Sequence, residues 1–258
     1  MRQIAVLCSL VAASIAGEAL AAADAYDDAS DPTYSDGFQA GDNGGTGWGG
    51  GWVKQGVALA SIGSSTDNGN GDDNLDGDID TSGAAFLFAP AQTGGQSMRR
   101  NFSGTLVVGD RVSWDFDNDP IALGGFVSLE LQAVSSIRFG FGWYGNLNEY
   151  GIVDAAGTPI RIIEVPLDDE GMHVEFTLTG TNTYQVDITP AGKATITETG
   201  TLSGSGAIDR FRLNAGSDGT AHKSYFNAIG VNVVPEPAAV LSGCAGAAAL
   251  MIAKLRRA

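Results

Sequence analysis

The chain has 258 residues, of which 30 are Asp or Glu and 14 are Lys or Arg, giving a net charge of −16. A field of that sign repels nucleic acid and anionic lipid surfaces and favours solubility and divalent-cation uptake, so no nucleic-acid partner is expected. The two cysteines, Cys8 and Cys244, lie near opposite ends, and nothing between them can be held by a disulfide.

At the N-terminus Arg2 precedes an apolar stretch from Ile4 to Gly17, and Ala21-Ala22-Ala23 offers small residues for cleavage before Asp24. That layout predicts a secretory signal peptide, helical in the membrane, over residues 1–23. Cys8 has no small residue ahead of it, so a lipoprotein signal does not fit.

Residues 24–51 are rich in Asp, Gly and aromatics, with no helical period. This segment is expected to wrap the domain edge. Trp48 and Trp52 flank a run of glycines, and exposed aromatics on such loops stack on sugar faces; Trp143 is a third candidate. Trp52 also fits the start of the first strand, with its ring in the core.

Strand-like runs follow, separated by Gly, Asn, Asp and Pro turns. The first is Val53 to Ser61; Ala85 to Ala89 and Ser97 to Phe102 are shorter. Val112, Trp114 and Phe116 alternate with polar residues, the period of a half-buried strand, and Val127 to Gln132 and Ile137 to Trp143 repeat it. Gly140 and Gly142 in the last run predict a close backbone approach or a bulge. Later runs are Ile160 to Val165, His173 to Thr179, Tyr184 to Thr189, Lys193 to Thr199, Ile208 to Asn214 and Ser224 to Val233. On the order of a dozen short strands without an amphipathic helix predict an all-β fold. The expected form is an antiparallel β-sandwich of jelly-roll type over residues 24–234, similar in pattern to concanavalin A-like and laminin-G-like domains. A parallel β-helix would need a short internal repeat, and none is present.

Between the first two runs lies an acidic loop. Asp72, Asn74, Asp76, Gly77, Asp78 and Asp80 fall at positions 1, 3, 5, 6, 7 and 9 of an EF-hand-like calcium loop. Alternating oxygen ligands suit Ca²⁺ rather than Zn²⁺. Position 12 is Gly83 instead of a bidentate Glu, so the loop is either a weakened calcium site in a β-protein or a solvated acidic hairpin.

No catalytic residue is assigned. A Glu-x-Asp-x-x-Glu strand, which would put acid and nucleophile on one face, is absent. Glu130 and Glu175 read as solubilising residues on outward faces, His173 as a strand-face polar residue and His222 as a loop residue. A glycan-cleaving enzyme on a concanavalin A-like fold is a further alternative, and it requires two carboxylates paired in a cleft.

The last residues read Val234-Pro235-Glu236-Pro237, then an apolar run from Ala238 to Ala253, then Lys254-Leu255-Arg256-Arg257-Ala258. The prolines keep 234–237 out of any helix. The run predicts a marginal transmembrane helix over 238–253, short of the roughly 20 apolar residues of a comfortable span, with the basic end retained in the cytoplasm. This three-part tail, 235–258 with its motif beginning at 234, resembles the PEP-CTERM sorting signal of secreted bacterial proteins. The resemblance implies recognition by an exosortase, a membrane protease-transpeptidase, transient inner-membrane anchoring, and delivery to the cell surface or extracellular matrix. It also makes exopolysaccharide the leading partner class. The expectation is a structural or adhesive matrix protein, with a calcium-dependent carbohydrate-binding module as the alternative.

Overall fold

The computed structural model describes residues 24–56, 60–67, 79–89, 94–119, 121, 123–134, 136–157, 161–165, 171–217 and 222–232. The expected signal peptide, the sorting tail with Val234, Pro235, Glu236, Pro237, Lys254, Arg256 and Arg257, and the loop residues Asp72, Asn74, Asp76 and Asp78 lie outside them. Among the described residues no helix is long and apolar enough to cross a membrane.

The strands, in chain order, are β1 Ala25–Asp27, β2 Val53–Gly56, β3 Ala60–Gly63, β4 Ala85–Phe88, β5 Gly94–Asn101, β6 Arg111–Asn118, β7 Phe126–Ala133 and β8 Ser136–Tyr144. They continue with β9 Glu149–Val153, β10 Arg161–Ile162, β11 Met172–Gly180, β12 Thr183–Pro190, β13 Ile196–Thr201, β14 Arg210–Ser217 and β15 Ser224–Asn232. All pairings between them are antiparallel. The first sheet has the order β13-β12-β11-β6-β15-β4-β3, with β1 also on β15, and the second β10-β9-β8-β7-β14-β5-β2. The predicted two-sheet antiparallel sandwich is what forms.

Period-2 alternation sets the layers. Val112, Trp114 and Phe116 on β6, and Val174, Phe176 and Leu178 on β11, point into the same core as Val127, Leu129 and Leu131 on β7 and Phe139, Phe141 and Trp143 on β8. Rings meet across the sheets: Phe139 lies 4.9 Å from Phe176 and 4.8 Å from Tyr184, and Phe116 lies 6.2 Å from Phe141. Each such side chain contributes about 1.5–3 kcal/mol by leaving water.

The run read as one strand from Val53 to Ser61 is two strands in different sheets. Gly56 takes φ +93°, and a Cβ there would lie 2.3 Å from the Gly95 carbonyl oxygen, so the chain can leave β2 at that residue. Gly142 makes the close approach expected of it: a Cβ would fall 1.9 Å from the Val127 carbonyl oxygen.

The N-terminal segment is tied to both sheets. Tyr34, Phe38 and Trp52 pack on Phe86, with ring centroids 5.1, 4.7 and 5.6 Å away. Asp27 on β1 pairs with Arg100 on β5, both fully buried, which joins one sheet to the other.

Candidate functional site

The outer face of the second sheet follows from register. With Val127, Leu129 and Leu131 in the core, Phe126, Ser128, Glu130 and Gln132 must face the other way. Strand pairing then lays out rows across the face. One runs from Arg99 on β5 to Arg212 on β14, Glu130 on β7 and Gly140 on β8. The next joins Gln55, Ser97, Asn214, Ser128 and Gly142. A third joins Gly216, Phe126 and Tyr144.

Glu130 is the centre of this face. Its Oε2 accepts from Arg212 Nε at 2.9 Å, from Arg212 Nη2 and from Gln132 Nε2 at 3.0 Å, while Oε1 accepts from Asn214 Nδ2 at 3.0 Å. The residue is 5 % exposed, so the expected solubilising role is replaced by that of a buried, fully engaged carboxylate. The sequence carried a signal in the outward partners Arg212 and Asn214, whose pairing with Glu130 needs the strand order to be visible.

Two further features complete the face. Phe126 stacks on Tyr144 at 6.3 Å with an interplanar angle of 14°, and the Phe126 ring lies over Gly216, where a Cβ would come within 2.4 Å of it. Burial, with the Glu130 charge beside it, pushes the Tyr144 phenol well above its usual range, so its proton stays in place. Arg210 is held by Asp209 at 2.8 and 2.9 Å. Arg99 differs: among the described residues its guanidinium has no hydrogen-bond or ion-pair partner, and its Nε is shielded from solvent.

The tryptophans do not form the expected stacking platform. Trp52 and Trp143 are 1 % and 3 % exposed; Trp52 donates to Asp27 Oδ2 at 3.1 Å and Trp143 to the Ile121 carbonyl oxygen at 3.4 Å. Trp48 is half-buried, 5.4 Å from Phe211 and under the Arg100 guanidinium at 4.9 Å. In each case the larger gain comes from core burial. Of the proposed calcium ligands Asp80 alone is described: its Oδ1 accepts from Ser65 N and Oγ, both at 2.8 Å, and its Oδ2 from Ser64 Oγ at 2.6 Å. No group of three metal-ligating side chains is assembled among the described residues. His173 bonds Asp115 at 2.7 Å on the first sheet, and Glu175 meets Arg111 at 3.2 Å.

A cavity of about 620 Å³ opens at one end of the sandwich, lined by Leu106, Leu178, Leu202, Ile208 and Arg138 among others. Arg138 spends its Nη groups on the Ser203 carbonyl and on Asn182 Oδ1. This cavity is mainly apolar, and Glu130, Arg212, Asn214 and Gln132 are not among the residues that line it.

No protein-family model matches the chain, and no characterised protein sequence does. Solved structures resemble it in fold. The alginate lyase from Klebsiella pneumoniae has a TM-score of 0.45 at 9% identity, over 71% of this chain and 95% of that one. The T. cruzi calreticulin globular domain has 0.47 at 10%, over 71% and 84%. A putative beta-glucanase from Mycobacterium abscessus has 0.40 at 14%, over 57% and 78%.

Proposed function

We propose that the chain is an exported bacterial protein whose sandwich binds glycan on the outer face of the second sheet. The observation that carries this reading is the cluster around Glu130, in which donors and acceptors are fixed in register beside an outward aromatic pair, Phe126 and Tyr144. Sugars present hydroxyls in a plane and C–H faces above and below, so prearranged hydrogen-bonding groups next to aromatic rings meet both at low ordering cost. The matrix role expected from the tail becomes a consequence of holding polysaccharide, with an exosortase as the processing partner and the cell surface or matrix as the destination. Calcium at Asp72, Asn74, Asp76, Asp78 and Asp80 belongs to the same proposal.

Binding without cleavage is the better reading. Glu130 is held by three side chains, Tyr144 keeps its proton, and His173 lies on the other sheet. General acid–base work needs a group able to exchange protons near neutral pH.

The test is retention of the full chain on the producing organism's exopolysaccharide. Asn214→Trp fills the face while leaving core-facing Leu213 and Ala215 unchanged; it should cut retention at least tenfold. Glu175→Trp, on the outer face of the first sheet, should leave it unaltered. Equal retention by both variants and the wild type would reject the assigned face.

A further inference from the structure

We infer that this face takes an acidic saccharide, a uronate whose carboxylate is received by Arg99 beside Arg212. The inference rests on the glycan reading and names its substrate class.

Arg99 and Arg212 are direct partners across β5 and β14, both facing outward. Side chains so placed have Cβ atoms about 5 Å apart, and like charges there are destabilising. Carboxylates neutralise the neighbouring arginines: Glu130 takes Arg212 and Asp209 takes Arg210. Arg100, next in sequence, points inward to Asp27. Arg99 alone of these four is left without a counterion among the described residues. The chain as a whole has 30 acidic residues for 14 basic ones, so a cation without a counterion among the described residues, on a polar, ordered face, runs against its composition.

Geometry points the same way. With Nε shielded, Arg99 can be approached end-on through its two Nη groups, the fork that matches a planar carboxylate in a bidentate pair. Gln55, Ser97 and Asn214 occupy the adjoining row and offer hydrogen bonds to ring hydroxyls. A neutral sugar would satisfy those groups and leave the Arg99 charge unanswered. The strongly negative remainder of the protein repels a polyanion at long range, which makes the contact local and selective for short segments.

Calorimetry on the full chain in EDTA tests this, using tetragalacturonate, its methyl ester and a neutral glucose tetramer. EDTA removes calcium bridging between acidic groups. The acid should bind at least tenfold more tightly than the ester. Arg99→Gln should bring the acid down to the wild type's affinity for the ester and not lower the melting temperature, since it removes a charge that has no counterion among the described residues. Equal binding of acid and ester by the wild type would overturn the acidic class and leave the glycan reading standing. Binding of no saccharide, in EDTA and again with calcium restored, would overturn both.

Discussion

Arg212 turns both Nε and Nη2 onto a single oxygen of Glu130, and the second oxygen is taken by Asn214 at 3.0 Å. The pair is therefore a fixed part of the sheet face. Glu130→Ala leaves Arg212, whose side chain is 25 % exposed, without its counterion, a loss of about 3 kcal/mol, the lower end for broken buried pairs because water reaches the guanidinium. The melting temperature should fall by roughly 5–10 °C. Glu130→Gln, which retains hydrogen-bonding capacity, should fall less, and an unchanged melting temperature in Glu130→Ala would contradict the assignment.

Asp27 sets a pH dependence. Burial pushes its carboxyl up to about 6, against the hydrogen bonds from Tyr34 and Trp52 and the Arg100 charge. An unfolded Asp titrates near 3.9, so the fold holds this proton more tightly than the unfolded chain does. That stabilisation is complete below about pH 4 and is lost as pH rises through 6. His173, raised by its hydrogen bond to Asp115, acts in the same sense, losing its contribution above its unfolded value near 6.5. Asp31 and Asp209, both lowered, subtract stability only at more acidic pH. The melting temperature should therefore decline from pH 4.5 to pH 8, and Asp27→Asn should flatten the part below pH 6. A wild-type profile rising over that range would be inconsistent with this account.

Val134, in the turn between β7 and β8, has φ 58° and is 66 % exposed. A β-branched residue in the left-handed region costs about 1–2 kcal/mol. Its amide donates to Asp209 Oδ1 at 3.1 Å, which holds the turn. Val134→Asn keeps that donor and relieves the strain, and differential scanning calorimetry should show a gain of about 2–4 °C.

The acidic loop makes a separate prediction. Millimolar calcium should raise the melting temperature, and Asp76→Ala should abolish the rise. No calcium effect would assign the loop to the solvated acidic hairpin.

The layers of the sandwich were legible because alternation in Val112 to Phe116, Val127 to Leu131 and Val174 to Leu178 reports directly which side chains enter the core. β9 was missed: it is five residues long with Gly151 at its centre, and only Tyr150 and Ile152 mark its buried face. The site was harder. Two of the three side chains that hold Glu130 lie 82 and 84 residues away, brought alongside by β14 inserting between β5 and β7. The tryptophans fitted two readings, a sugar platform or the core: glycine-rich flanks signal a tight path of the chain, and here that path carries Trp52 inward, in keeping with its place at the start of the first predicted strand.

Amide and side-chain chemical-shift mapping of the full chain, titrated with a uronate oligomer, locates the saccharide on the fold. Perturbations should centre on Arg99, Arg212 and Asn214 and extend toward Phe126 and Tyr144. Perturbations gathered around the cavity at Leu178 and Ile208, or on the outer face of the first sheet, would contradict the assigned face.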